Sequence, residues 1–316
     1  MPGGRQIAVT GATGFIGALL VKQLVARGDS VRVLVRAPTM RADFPRSVRV
    51  FQGDLVSEPG NLAEFVDGAD VLYHLAGEVR HVPAMRALHV EGTRALLKAA
   101  AGRVAHWVQM SSVAVYGPLR SGFVDEDWPL APQREYEATK AEAERLVRMA
   151  AAGGTLTCTV VRPSTVFGPG MPNRSLRQLV SAVARGLFFF VGPPGALANY
   201  IYVDNVVDAL IACGVHPAAK GGTYNLSDDR TMEEFVGTIA ECVGRPAPRV
   251  RLAEAPIRLL ARALGRIPNS PLTESRVDAL TARVRYSTRR IEAELGYRHA
   301  VSMTEAIHRY IASEAV

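Results

Sequence analysis

The sequence predicts an α/β fold: a doubly wound parallel sheet followed by a smaller, mostly helical C-terminal lobe. Three observations predict it. Short Val-rich apolar runs alternate with amphipathic helical stretches through the first half. A glycine loop, Thr10-Gly11-Ala12-Thr13-Gly14-Phe15-Ile16-Gly17, stands between the first run and the first helix. After Arg162 the strand pattern gives way to clusters of Pro and Gly and then to helices.

The expected strands are Gln6–Thr10, Val31–Val35, Val48–Phe51, Val71–Leu75, His106–Met110 and Leu156–Val161. Nearly continuous apolar runs of this kind suit strands covered on both faces. The helices between them are Phe15–Arg27, Met85–Ala101 and Arg134–Ala152. Pro163, Gly168, Gly170, Pro172 and the stretch Gly192–Gly195 mark loops. Helices are then expected near Leu176–Arg185, Asp204–Cys213, Met232–Val243, Ile257–Leu264, Thr288–Leu295 and Met303–Ile311.

A chain of 316 residues is long enough for about two structural units. With 48% hydrophobic and 21% charged residues it has the composition of a folded globular protein. Disorder, collagen-like repeats and a disulfide-stapled miniature are excluded. The longest apolar candidate, Leu187–Val191, falls far short of the roughly 20 residues that span a bilayer. Met1–Arg5 leads straight into a strand without an apolar signal segment, and Cys158, Cys213 and Cys242 form no disulfide framework or metal-ligand spacing. A reducing, cytoplasmic setting is expected. The net charge of +7 is nearly all arginine, since lysine occurs only at 22, 98, 140 and 220. The arginines are dispersed, which a compositional bias toward Arg and Ala explains better than a nucleic-acid face, and an anionic cofactor or substrate would also use some of them.

In the glycine loop, Gly11 permits a tight turn, Gly14 opens the backbone to a pyrophosphate and Gly17 lets helix and sheet pack closely. Thr13, Phe15 and Ile16 lie at the same helix N-terminus, whose unpaired N–H groups favour an anion. At the end of the second strand an acidic residue would hydrogen-bond the adenosine ribose of NAD. Arg36 stands there instead, and a guanidinium suits a 2′-phosphate, so NADP is preferred to NAD. Asp54, after the third strand, is either an adenine contact or a turn cap.

Tyr136 and Lys140 occupy positions i and i+4 of one helix, hence one face. A free phenol, with pKa about 10, is a poor base at neutral pH. A neighbouring ammonium and a cationic nicotinamide would lower that value and make Tyr136 an acid–base group for hydride transfer. Ser111 and Ser112 close the fifth strand, at the edge where α/β sheets bind ligands. Ser112 would hold the substrate oxygen beside Tyr136.

The glycine loop and the ordered set Ser112, Tyr136 and Lys140 resemble the extended short-chain dehydrogenase/reductases, the NAD(P)-dependent epimerase/dehydratase group. His74-Leu75-Ala76-Gly77 resembles the family's fourth-strand motif, and Arg162 to Gly170 its motif beside the nicotinamide. Tyr200 to Val206 resembles its return segment, and Leu295-Gly296-Tyr297 its C-terminal signature. The resemblance implies a Rossmann domain over 1–166 and 200–226, and a substrate lobe over 167–199 and 227–316. It implies Tyr136 as acid–base residue, Lys140 lowering its pKa while touching the nicotinamide ribose, and Pro163 placing the nicotinamide. Further cofactor contacts are implied at Leu55, Leu75, Ala76, Gly77, Ser111, Ser164 and Val166. His89 takes the place of an Asn that many members carry and is a candidate near the nicotinamide.

Some positions depart from the pattern. Dehydratases carry an Asp-Glu pair where this chain has Val113 and Ala114, so elimination of water is not expected. Ala198 replaces an Arg with which many members hold a sugar-nucleotide diphosphate, leaving Arg174, Arg177, Arg249, Arg276, Arg283 and Arg285 as phosphate candidates. The segments 138–147 and 156–169 resemble the 3β-hydroxysteroid dehydrogenase-like branch. The expected activity is therefore hydride transfer at a carbinol or ketone carbon, with a sugar-nucleotide 4-epimerase or 4-ketoreductase first. A reductase of apolar ketones, of hydroxysteroid or flavonol type, is second. A cofactor-sensing protein without turnover is third, and is opposed by the presence of Tyr136 and Lys140. The resemblance also implies a homodimer formed through the Tyr136 helix and the 85–101 helix.

Overall fold

The structure, a computed structural model, describes residues 4–36, 44–57, 60–264 and 272–314. Its first half runs β1 (Gln6–Thr10), α1 (Phe15–Ala26), β2 (Ser30–Val35), β3 (Arg49–Gln52), α2 (Leu62–Val66), β4 (Ala69–His74), α3 (Val82–Arg86), α4 (Thr93–Ala100), β5 (Val104–Met110), β6 (Ser121–Val124), α5 (Glu135–Ala152) and β7 (Thr157–Pro163). The second half runs β8 (Thr165–Phe167), α6 (Ser175–Ala184), β9 (Phe190–Val191), β10 (Leu197–Tyr202), α7 (Val203–Val215), β11 (Thr223–Leu226), β12 (Asp228–Thr231), α8 (Met232–Cys242), β13 (Arg251–Leu252), α9 (Glu254–Leu264), α10 (Glu274–Thr281), β14 (Arg283–Tyr286), α11 (Arg289–Leu295) and α12 (Met303–Ser313).

Seven parallel strands form the main sheet in the order β11-β7-β5-β4-β1-β2-β3. Alternate side chains serve opposite faces. Ile7 and Val9 of β1 enter a core with Leu20 and Leu24 of α1 and Val206 and Leu210 of α7. Ala8 points the other way, into a core with Phe65 of α2, Leu96 of α4, Trp107 of β5 and Val147 of α5. Both faces are covered, which is why the strands read as unbroken apolar runs.

A separate core holds the lobe together. It joins Leu176 and Val180 of α6, Ala198 and Tyr202 of β10, Phe235 and Ile239 of α8, and Ile307 and Tyr310 of α12. The expected 227–316 portion does not stay in this lobe throughout. Strand β14 pairs with β6, and Ile291 and Tyr297 pack in the core beneath the main sheet, before α12 rejoins the lobe. Gly296, in the left-handed conformation at φ +64°, ends α11. That turn lets the Tyr297 hydroxyl donate to the carbonyl of Asn205 at 2.9 Å.

The strands and helices expected in the first half are present within a few residues of their expected ends, with one exception. The helix expected over 85–101 starts at Val82 and is interrupted by a π-helical turn over Ala87–Gly92. Such a turn adds a residue to one helical turn and rotates the helix beyond it. Helix α10 and the strand pairs of the lobe were not expected. Those strands are two to six residues long, too short for alternation to register.

The glycine loop is shaped by contact. Gly11 has φ +71°, and a Cβ there would fall 2.6 Å from the carbonyl carbon of Leu75 on the neighbouring strand end. A Cβ at Gly17 would fall 2.1 Å from the Gly11 carbonyl oxygen. Gly17→Ala must push α1 off the sheet. It is expected to cost about 1–3 kcal/mol of stability by overpacking and to weaken nicotinamide dinucleotide binding. A wild-type urea midpoint would contradict this.

Candidate functional site

Helix α1 starts at Phe15 with exposed Thr13 and Gly14 at its tip, and Gly14 is its N-cap. The first amides of this twelve-residue helix are thus open to solvent at the C-terminal end of β1, where a pyrophosphate can approach backbone N–H groups. Leu75 and Ala76 back onto Gly11 from the end of β4. Phe15, Ile16, Leu75, Ala76 and Val166 are half-buried around the loop, and Gly77 is exposed. This geometry fits a dinucleotide. Arg36 is exposed at the end of β2, beside the loop. Asp54 does cap a turn: its Oδ1 accepts the amides of Val56 and Ser57 at 2.8 and 3.2 Å. Leu55 is buried against the helices of the far face.

Helix α5 brings Tyr136 and Lys140 to the end of β5. Its start is fixed by Glu137, whose Oε2 accepts the amides of Gln133 and Arg134 at 2.8 and 3.0 Å. The Ser112 hydroxyl accepts the Ala114 amide at 3.2 Å, and its influence on the Tyr136 phenol opposes the effect of burial. It is therefore a turn cap that also acts on Tyr136. Lys140 is buried and donates from Nζ to the carbonyl of Met110 at 2.6 Å. Ser112, Tyr136 and Lys140 are thus gathered at one sheet edge.

The electrostatics correct one expectation. Burial raises the Tyr136 phenol above its ordinary value, and the Ser112 hydroxyl opposes that rise. The lowering expected from Lys140 does not follow, because its ammonium is directed to the Met110 carbonyl. Lys140 itself is brought down to about 8 by burial, against the pull of Glu144 one turn further along α5.

Ser111 and His89 are engaged within the protein. The Ser111 hydroxyl donates to Glu144 Oε1. Both ring nitrogens of His89 are also taken: Nε2 accepts the amide of Glu78 and Nδ1 meets the Thr139 hydroxyl, each at 2.9 Å. Burial, with Lys140 nearby, holds His89 and His74 at about 3, so both rings are neutral. His74 links Thr10 at 2.7 Å to Thr93 at 3.0 Å, joining the ends of β1 and β4 to α4. Pro163 and Ser164 are buried at the end of β7, and the Ser164 hydroxyl has no partner among the described residues.

Sequence reasoning missed the ion pair beneath the site. Arg162 Nε and one terminal nitrogen hold Glu144 at 3.0 and 2.6 Å, with the side chains 4% and 2% exposed. The other terminal nitrogen donates to the Tyr116 hydroxyl at 2.8 Å. Tyr116 donates in turn to Asn225 Oδ1 at 2.8 Å, and Asn225 N donates to Glu126 Oε1 at 2.8 Å. The signal was a glutamate four residues after Lys140 on the same helical face, which reads as an ordinary solvated charge. Glu144→Gln removes the charge that compensates Arg162 and is expected to cost about 3–5 kcal/mol. A loss below about 1 kcal/mol in chemical denaturation would contradict a fully buried pair.

The sugar-phosphate candidates behave differently from one another. Arg177 pairs with Glu314, Arg276 donates to Gln178, Arg283 to the carbonyls of Pro193 and Pro194, and Arg285 pairs with Asp229 at 2.9 Å. Arg174 and Arg249 are exposed. Ala198 is buried in the lobe core. Among the described residues no helix is long and apolar enough to cross a membrane.

A family model described as the NAD dependent epimerase/dehydratase family matches residues 7–227. The 3β-hydroxysteroid dehydrogenase/Δ5→4-isomerase of Mycobacterium tuberculosis is 29% identical, over 96% of this chain and 88% of that one. A 4-hydroxy-2-methyl-3-oxo-4-farnesyl-3,4-dihydroquinoline-1-oxide ketoreductase of Stigmatella aurantiaca is 31% identical, over 95% and 93%. The solved structure of MoeE5 in complex with UDP-glucose and NAD is 27% identical with a TM-score of 0.74, covering 98% of both chains. The chain belongs to the NAD-dependent epimerase/dehydratase family, the extended short-chain dehydrogenases, and is an enzyme of nicotinamide-dependent hydride transfer.

Proposed function

We propose that the enzyme interconverts a secondary alcohol and its ketone on a largely apolar substrate, with Tyr136 as acid–base residue and NADP as preferred cofactor. The observation that carries this reading is the convergence at the end of β5 of Ser112 and the α5 helix with Tyr136 and, one turn on, buried Lys140, whose Nζ reaches the Met110 carbonyl at 2.6 Å. When bound, the nicotinamide supplies or accepts the hydride at the substrate carbon. Ser112 holds the substrate oxygen. Tyr136 gives that oxygen its proton in reduction and removes it in oxidation. Lys140 lies one helical turn along α5 from Tyr136, and release from the Met110 carbonyl would free its ammonium for the ribose. The glycine loop, Arg36, Asp54, Leu55, Leu75, Ala76, Gly77, Pro163, Ser164 and Val166 line the cofactor's course in this reading, while Ser111 and His89 support it from behind.

The lobe favours an apolar substrate. Four of its six candidate arginines are bound to protein partners, and the Ala198 position lies in the core. Two of the relatives in sequence bear hydroxysteroid and farnesylated-ketone names, and another bears that of a UDP-glucose 4-epimerase. A second reading, a sugar-nucleotide 4-epimerase or 4-ketoreductase, is favoured by the likeness to MoeE5 and by exposed Arg174, two residues from Pro172 at the lobe's rim. A homodimer through α5 and the 82–100 helices fits the same reading. So does a cytoplasmic setting, in keeping with three free thiols.

The test is turnover followed by reduced-nicotinamide absorbance, with steroid ketones and UDP-sugars offered in parallel. Tyr136→Phe is expected to lose about 10²–10⁴-fold in kcat with cofactor affinity retained. Unchanged turnover would sink the assignment. Thermal stabilisation by UDP, dTDP or GDP would move the substrate to the second reading. Arg36→Ala is expected to weaken NADP binding about tenfold or more, the worth of a charge-assisted hydrogen bond, with NAD unaffected. Equal loss for both cofactors would remove the NADP preference.

A further inference from the structure

His89 stands between two parts of the site, the rim loop after β4 and the helix that carries Tyr136. Its hydrogen bonds have a definite sense. The Glu78 amide can only donate, so Nε2 carries no proton. The Thr139 hydroxyl commits its single proton to the Glu135 carbonyl at 2.7 Å, so it accepts from Nδ1. The ring is therefore the neutral Nδ1–H tautomer, and both nitrogens are satisfied without water. Its edge meets the Tyr136 ring at a centroid distance of 5.8 Å and an angle of 78°.

The loop it holds is itself ordered from within. Glu78 Oε1 accepts the amides of Val79, Arg80 and His81 at 2.8, 2.7 and 3.1 Å. The Arg80 guanidinium then reaches the Pro172 carbonyl, on the segment entering the substrate lobe. Gly77 lies against the ring, a Cβ there falling at van der Waals distance, 3.4 Å, from Nε2. A continuous set of contacts thus runs from Pro172 through Arg80, the Glu78 loop, His89 and Thr139 to the turn bearing Tyr136.

We propose that His89 is a positioning residue with two separable tasks: Nε2 anchors the substrate-side rim loop, and Nδ1 fixes the first turn of the catalytic helix. It acts on substrate and cofactor only through those elements. The proposal rests on Tyr136 as acid–base residue for its consequence in turnover, but its structural core is testable without turnover.

Two variants separate the tasks. The amide of asparagine reaches the level of Nδ1, and that of glutamine reaches the level of Nε2. Hydrogen exchange in the free protein is the first measurement. His89→Asn is expected to speed exchange at 78–81 by about tenfold, the effect of one unmade buried hydrogen bond, with 135–140 unchanged. His89→Gln is expected to do the reverse. Loosening of both segments by both variants, or of neither, overturns the proposal. A ¹⁵N spectrum of histidine-labelled wild type, with His89 assigned by its loss in His89→Asn, is expected to give the Nδ1–H tautomer, and an Nε2–H tautomer overturns it. With the substrate that the turnover screen identifies, His89→Asn should raise KM with kcat kept, and His89→Gln should lower kcat. If the exchange pattern holds and no substrate is turned over, the positioning stands and the functional reading fails.

Discussion

A carboxylate removed from water must be given partners, and Glu144 draws them from across the molecule. Its oxygens are held by Ser111 at the end of β5 and by Arg162 at the end of β7, and its charge acts on Lys140 one turn back along α5. The ion pair therefore sets how far α5 stands from the sheet. The same guanidinium continues through Tyr116 and Asn225 to Glu126, and Glu126 lies 3.5 Å from Arg290 of α11. One buried polar chain ties the catalytic edge to strand β11 and to the segment that returns near the C-terminus. Such a chain is costly when half satisfied and specifies a single arrangement when complete.

Much of this was legible in the sequence. Val-rich runs such as Val31–Val35 declare strands covered on both faces, and glycines 11, 14 and 17 declare the loop that precedes α1. The order of Ser112, Tyr136 and Lys140 carried the expectation of hydride-transfer chemistry. Pairing between distant residues stayed hidden. Nothing near Glu144 in the chain says that it meets Arg162, and nothing near His89 says that both its nitrogens are engaged. Ser111 read as a ligand contact because its carboxylate partner is 33 positions away. The short strands of the lobe are stable only through neighbours that arrive later in the chain, so their own residues carry little periodic signal.

The arginine excess has a structural meaning that the net charge conceals. In the lobe, Arg230, Arg251, Arg258, Arg262 and Arg285 each face a carboxylate. The guanidinium's several donors join elements too short to hold together by apolar burial, as where Arg251 bonds both the Gly192 carbonyl and Glu233. Dispersed basic charge here stitches loops and helices together.

The position of β11 bears on how the chain reaches this form. The edge of the seven-stranded sheet is supplied from 223–226, and its underside is closed by Ile291 and Tyr297. On a ribosome, the nucleotide-binding half emerges well before its last strand and its final apolar cover. Until then β7 has an open edge, the kind that chaperones shield and that pairs readily with another chain. Assembly is thus governed by late, long-range closure, and a fragment ending near residue 166 would lack the pieces that make its sheet complete.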